Sequence, residues 1–133
     1  KFQHWIYEHP THTHEERTTA WENILKEFQD DVYDHSGLEK YRANAWQRQL
    51  HLFEVPFYYI EYGIAQLGAI GMWMQYKQDK QKALDNYCNT LQLGGTRTLP
   101  ELYKTAGLAF DFSPEKIKDL IHFVQGEMKA LIE

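Results

Sequence analysis

Between Trp46 and Gly63 the sequence WQRQLHLFEVPFYYIEYG gathers one histidine, three tyrosines and a proline. Imidazole and phenol groups both donate hydrogen bonds, and donors aimed at a carbonyl oxygen as it becomes an oxyanion lower the barrier to attack on that carbonyl. Tyr58 and Tyr62 are four residues apart, which on a helix puts them on one face while Tyr59 points aside. His51, just before the Pro56 turn, can swing over the same face. The same spacing also describes an aromatic stripe packed into a core, its hydroxyls satisfied by neighbours. Pattern alone leaves both readings open.

Seven histidines invite a search for a metal site, and the strongest pattern would be H-E-x-x-H, two ligands one helical turn apart. That pattern does not occur; His14, Glu15, Glu16, Arg17 begins it and Thr18 stands where the second histidine is needed. His9, His12, His14 and Glu15 are either surface residues at a polar helix start or an improvised ligand set. Cys88 has no cysteine partner and no evident activating base, so it reads as a small buried hydrophobe. Gly94, Gly95, Thr96 lacks the lysine and flanking strand of a phosphate loop and reads as a helix end. Lys77, Lys80 and Lys82, interrupted by Asp79 and Asp85, form a solvated face.

The elements that must position these residues read as helices throughout. Thr13 and Glu16 form a capping box, so a helix starts there. Its apolar stripe of Trp21, Ile24, Leu25 and Phe28 predicts a helix stopping near His35, Ser36, Gly37. A second helix is expected from Glu39 to Phe53, ended by Pro56, which removes a backbone donor and drives Val55 out of helical geometry. From Phe57 to about Gln78 the chain is apolar nearly all round, as in a helix central to a bundle. Gly63, Gly68 and Gly71 lie within it, and since helical glycine costs about 1 kcal/mol against alanine they imply close approach of another backbone or a substrate. Further helices are expected over Lys80–Leu93, from Thr98, and from Ser113, where an N-cap, Pro114 and Glu115 favour initiation; Ile117 through Leu131 supply the last apolar face. No strand-period segment or repeat is evident, so the fold class is all-α, a helical bundle.

With 133 residues and 43% hydrophobic content, one domain or a piece of one is expected. The formal charge of -5 lacks the positive excess that phosphate binding needs, which argues against a nucleic-acid partner. No apolar run approaches a membrane span or a signal-peptide core, and a cytoplasmic protein without membrane attachment is expected. Lys1 opens the chain without a Met and already inside a helical pattern, as expected of a piece of a longer protein.

The block from Trp46 to Gly63, continued by Ile64, Ala65, Gln66, Leu67, Gly68, Ala69, resembles the C-terminal signature of the oligoendopeptidase F family, relatives of thimet oligopeptidase and neurolysin. Phe2 to Tyr7 with Pro10, His12 and Arg17 resembles that family's segment downstream of its zinc ligands, and Leu93–Gly95 through Ala106 and Gly107 resembles its closing helices. The resemblance spans nearly the whole chain. It implies residues 1–133 as the C-terminal part of a helical, clam-like catalytic domain that cuts short peptides with zinc, the zinc ligands lying outside this sequence and none within it. It assigns catalysis to His51, Tyr58 and Tyr62, which would stabilise the tetrahedral intermediate, and substrate contact to Tyr59 and Phe57. Thimet-type relatives carry a further tyrosine where this sequence has Ala65. The chain alone is expected to be inactive and to self-associate through apolar surface that the rest of such a domain would cover. Two other readings are a stand-alone helical peptide-binding module and a small metalloprotein using His9, His12, His14 and Glu15.

Overall fold

The structure is a computed structural model describing residues 1–28 and 32–132. Every regular element among these residues is helical. The chain divides into two compact units, Lys1–Tyr59 and Ile60–Glu133.

The N-terminal unit holds α1 (Phe2–Glu8), α2 (His14–Glu27), α3 (Glu39–Ala43), a 3-10 turn (Ala45–Arg48) and α4 (His51–Glu54). Its centre is aromatic: Phe2 is buried edge-on against Trp21, centroids 5.1 Å apart, and tilted on Trp46 at 5.6 Å. The Trp21 indole N–H donates to the Arg42 carbonyl at 2.8 Å, tying α2 to α3. The Arg17 guanidinium lies over the Trp46 ring at 5.3 Å. The capping box forms as the sequence predicts, Glu16 N–H donating to Thr13 Oγ1 at 3.2 Å and Thr13 N–H to Glu16 Oε2 at 2.7 Å.

Two boundaries differ from expectation. Helix α2 ends at Glu27 with Phe28 as its C-cap, well before His35; the predicted continuation over 29–31 lies outside the described residues. Further on, Asp34 accepts from both the N–H and the hydroxyl of Ser36, and such local side-chain bonding competes with a helix. The expected helix from Glu39 to Phe53 is broken into three pieces. Asn44 turns its amide back to the Lys40 carbonyl at 2.9 Å and takes φ -107°, ψ 5°, while Gln49 opens to ψ 85°. Ala43 and Trp46, on either side of the Asn44 break, are both buried.

The C-terminal unit comprises α5 (Ile60–Gln78), α6 (Lys80–Leu93), α7 (Leu99–Thr105) and α8 (Pro114–Lys129). Helix α5 packs against α6 and α8, and α6 against α7, around Gly71, Ala83, Ala106 and Leu120. Asp79 caps α6, its carboxylate accepting from Lys82 N–H at 3.1 Å, so α5 and α6 meet with a single residue between them. Gly94 ends α6 at φ +52°, as the sequence suggests. Ser113 caps α8, and Leu131 lies beyond its end. Gln75 donates to the carbonyls of Ala106 and Gly107 at 3.1 and 2.8 Å and accepts from Asn86 at 3.2 Å, binding three segments through one amide. Cys88 is exposed on α6, not buried as its sequence context suggests. The glycines of α5 separate into two cases. A Cβ at Gly68 would meet the Tyr103 hydroxyl at 2.8 Å and one at Gly71 would meet Leu108 at 3.0 Å, whereas Gly63 faces open space. At positions 68 and 71 the close approach is by side chains, not by another backbone.

Candidate functional site

The turn over 55–59 decides how the predicted site residues are presented. Val55 takes φ -137°, ψ 81°, off the helical region as Pro56 requires, and its carbonyl accepts from Tyr58 N–H at 3.2 Å. Phe57 then adopts φ +62°, a left-handed conformation rare for a bulky side chain. Two features hold it there. Its N–H donates to Gln3 Oε1 at 3.1 Å, and its ring lies against His4 at 4.9 Å and Tyr7 at 5.6 Å. Helix α5 therefore begins at Ile60, not at the expected Phe57. Tyr58 stands in the turn, so the four-residue spacing to Tyr62 is not a shared helix face.

His51 opens α4. Its ring is nearly parallel to that of Tyr58, 5.5 Å and 27° between them, and tilted on that of Tyr59 at 4.7 Å and 45°. The Tyr59 hydroxyl donates to Gln49 Oε1, which fixes that ring beside the imidazole. Phe57, Tyr58 and Tyr59 are each more than two-fifths exposed, so the cluster is open to a ligand. The structure thus brings His51 of α4 against Tyr58 and Tyr59 of the following turn, while Phe57, on the same turn as the two tyrosines, has its ring against His4 and Tyr7. Tyr62 belongs to the C-terminal unit, on the first turn of α5 and half exposed. Imidazole and phenols so placed can donate to an oxygen that gains charge.

The other histidines are engaged differently. His9 Nδ1 bonds the Trp5 carbonyl at 2.8 Å, and His12 Nδ1 bonds the His9 carbonyl. Arg17 Nε, a permanent donor, points at His12 Nε2 at 2.7 Å. Both ring nitrogens of His12 are thereby occupied. Among the described residues no group of three or more His, Cys, Asp or Glu side chains is placed to hold a metal ion. Nor is any helix among them long and apolar enough to cross a membrane.

The model of Peptidase family M3 matches residues 1–120. The chain belongs to peptidase family M3. Two solved structures are similar to this M3 chain. PZ peptidase A, solved with an inhibitor, is 30% identical with a TM-score of 0.87 over 97% of the chain. A protein described as an oligoendopeptidase F is 36% identical with a TM-score of 0.82 over 96% of it. In each case the chain spans 23% of the other's length. No curated protein gives a match.

Four residues around the site lie within segments that carry the family resemblance but receive no site role from the sequence of this M3 chain. Gln3, His4 and Tyr7 meet Phe57 across some fifty positions, and no periodicity reports such a pairing. Gln49, close along the chain to Tyr59, becomes its partner only because Pro56 turns the backbone.

Proposed function

We propose that residues 1–133 are the C-terminal, substrate-facing part of the catalytic domain of a zinc-dependent, cytoplasmic oligoendopeptidase that hydrolyses short peptides. His51, Tyr58 and Tyr62 would donate hydrogen bonds to the scissile carbonyl oxygen as it becomes tetrahedral, with Tyr59 and Phe57 contacting the peptide. The observation that carries this is the stacking of His51 on Tyr58, 5.5 Å between rings, on an exposed turn of a chain of a peptidase family. In such a reaction a metal polarises the carbonyl and activates water; its ligands would come from an H-E-x-x-H segment elsewhere in a longer protein. What this chain contributes is the oxyanion grip, held by the Phe57 turn and by Gln49 on Tyr59. Removing one donor of that kind typically costs about a hundredfold to a thousandfold in turnover.

The test is peptide hydrolysis with zinc added, by this chain alone and by a longer protein containing it, each beside its Tyr62→Phe variant. Cleavage by the longer protein only, with the variant losing kcat but still binding peptide, supports the assignment. Cleavage by the chain alone overturns it. Peptide binding without cleavage by either would make this a non-catalytic binding module. Exposed apolar residues such as Ile60, Leu131 and Ile132 would drive the isolated chain to self-associate, and a strictly monomeric species in light scattering at high concentration counts against that.

A further inference from the structure

Tyr103 reaches from α7 into the hydrogen-bond ladder of α5. Its hydroxyl donates to the Ile64 carbonyl, the acceptor on which Gly68 N–H closes in a regular helix. Burial pushes the Tyr103 pKa up, and the Gly68 N–H, bearing on the phenol oxygen, pulls it back. A Cβ at position 68 would lie 2.8 Å from that hydroxyl and 3.2 Å from the ring carbon bearing it, so the hydroxyl occupies the room a side chain would need. The ring is held edge-on by Phe110 at 5.0 Å and by Phe112 at 6.3 Å, and the Tyr103 carbonyl accepts from Leu108 N–H at 2.8 Å. A second donor on a helix carbonyl draws that carbonyl outward and so biases the local course of the helix. The carbonyl it grips lies two residues beyond Tyr62, in the opening turns of α5.

We propose that Tyr103 is a positioning residue, which by holding the Ile64 carbonyl fixes the opening turns of α5 and with them the direction in which Tyr62 presents its hydroxyl. This rests on the role proposed for Tyr62. Tyr103 acts through the helix and not on substrate, since its hydroxyl is committed to Ile64.

Steady-state kinetics of the full-length peptidase carrying Tyr103→Phe, Tyr62→Phe and both changes tests this. Tyr103→Phe is expected to lower kcat about tenfold to a hundredfold, the scale of a misplaced catalytic group, with KM within about twofold. The double variant should be no slower than Tyr62→Phe alone, because one change acts through the other. Phe110→Leu loosens the same ring packing but keeps the hydroxyl, and should leave kcat unchanged. An unaltered kcat in Tyr103→Phe beside an impaired Tyr62→Phe overturns the proposal and spares the role of Tyr62. Effects that multiply in the double variant, or a loss in Phe110→Leu equal to that in Tyr103→Phe, overturn it likewise. Full activity in Tyr62→Phe removes the Tyr62 role itself, and the proposal with it.

Discussion

The imidazole of His51 lies almost parallel to the phenol of Tyr58, ring centroids 5.5 Å apart and 27° from coplanar. Stacking of this kind orients both rings relative to each other. In a full-length peptidase, His51→Ala should therefore lower kcat by about a hundredfold or more. The melting temperature should fall by only a few degrees, because His51 is half-buried. Equal kcat in wild type and variant, measured on one short peptide, would remove His51 from the mechanism.

At Phe57 the backbone and the side chain pull in opposite directions. Its φ of +62° costs about 1 kcal/mol or more for a residue with a Cβ, while the ring gains contacts with His4 and Tyr7. Phe57→Gly and Phe57→Ala both lose the ring, but only glycine escapes the backbone cost. Glycine should be the more stable variant by about 1 kcal/mol in urea unfolding; alanine equal to or better than glycine would show that the left-handed turn does not form.

A methyl group at position 68 has nowhere to go while Tyr103 keeps its hydroxyl. Gly68→Ala should destabilise by about 1–3 kcal/mol, as overpacked sites do. In a Tyr103→Phe background the same change should cost less, since the atom at 2.8 Å is gone. A double-mutant cycle by chemical denaturation measures this, and simple additivity would contradict the contact.

Hydrogen bonds from the Thr13 backbone N–H, then from its hydroxyl, hold the Glu16 carboxyl below its ordinary value of 4.5. A carboxyl depressed in the folded state adds stability that is fully present above its unfolded value and is lost as pH falls through the folded one. Melting temperature should thus decline on acidification from about pH 5 downward. Glu16→Gln should start lower at neutral pH and show a shallower decline. Parallel acid limbs for the two proteins would mean the capping box contributes nothing to the pH dependence.

How much of this was legible in the sequence depends on the range over which each feature is decided. Thr13 with Glu16, Ser113 before Pro114 and Gly94 after α6 are settled within three or four residues, and the all-α fold follows from such signals together with apolar periodicity. Pro56 likewise announces its turn. The left-handed Phe57 is not announced, because what sustains it is Gln3, far off in the chain. The start of α5 slips from Phe57 to Ile60 for that reason, and the shared face for Tyr58 and Tyr62 goes with it. Asn44 and Gln49 break what periodicity alone joins into one helix. The α5 glycines signal crowding correctly at positions 68 and 71, but only packing names Tyr103 and Leu108 as the cause. Cys88 looks inward by residue type and faces outward because α6 turns Ala83 to the core.

Gln75 has a polarity that its shape conceals. Two carbonyl oxygens, those of Ala106 and Gly107, demand that its nitrogen end face them, and its oxygen must then receive the Asn86 amide. Donors consequently run one way, from α6 through α5 to the end of α7, like a valve that admits a single orientation. Replacing one nitrogen by oxygen, as hydrolysis of the amide to Glu would do, keeps the outline of the side chain and the bond from Asn86 but removes the donor that faces Ala106 and Gly107. Three oxygens would then face one another with no proton between them, so slow chemical ageing at this one position would loosen the C-terminal unit without altering its shape.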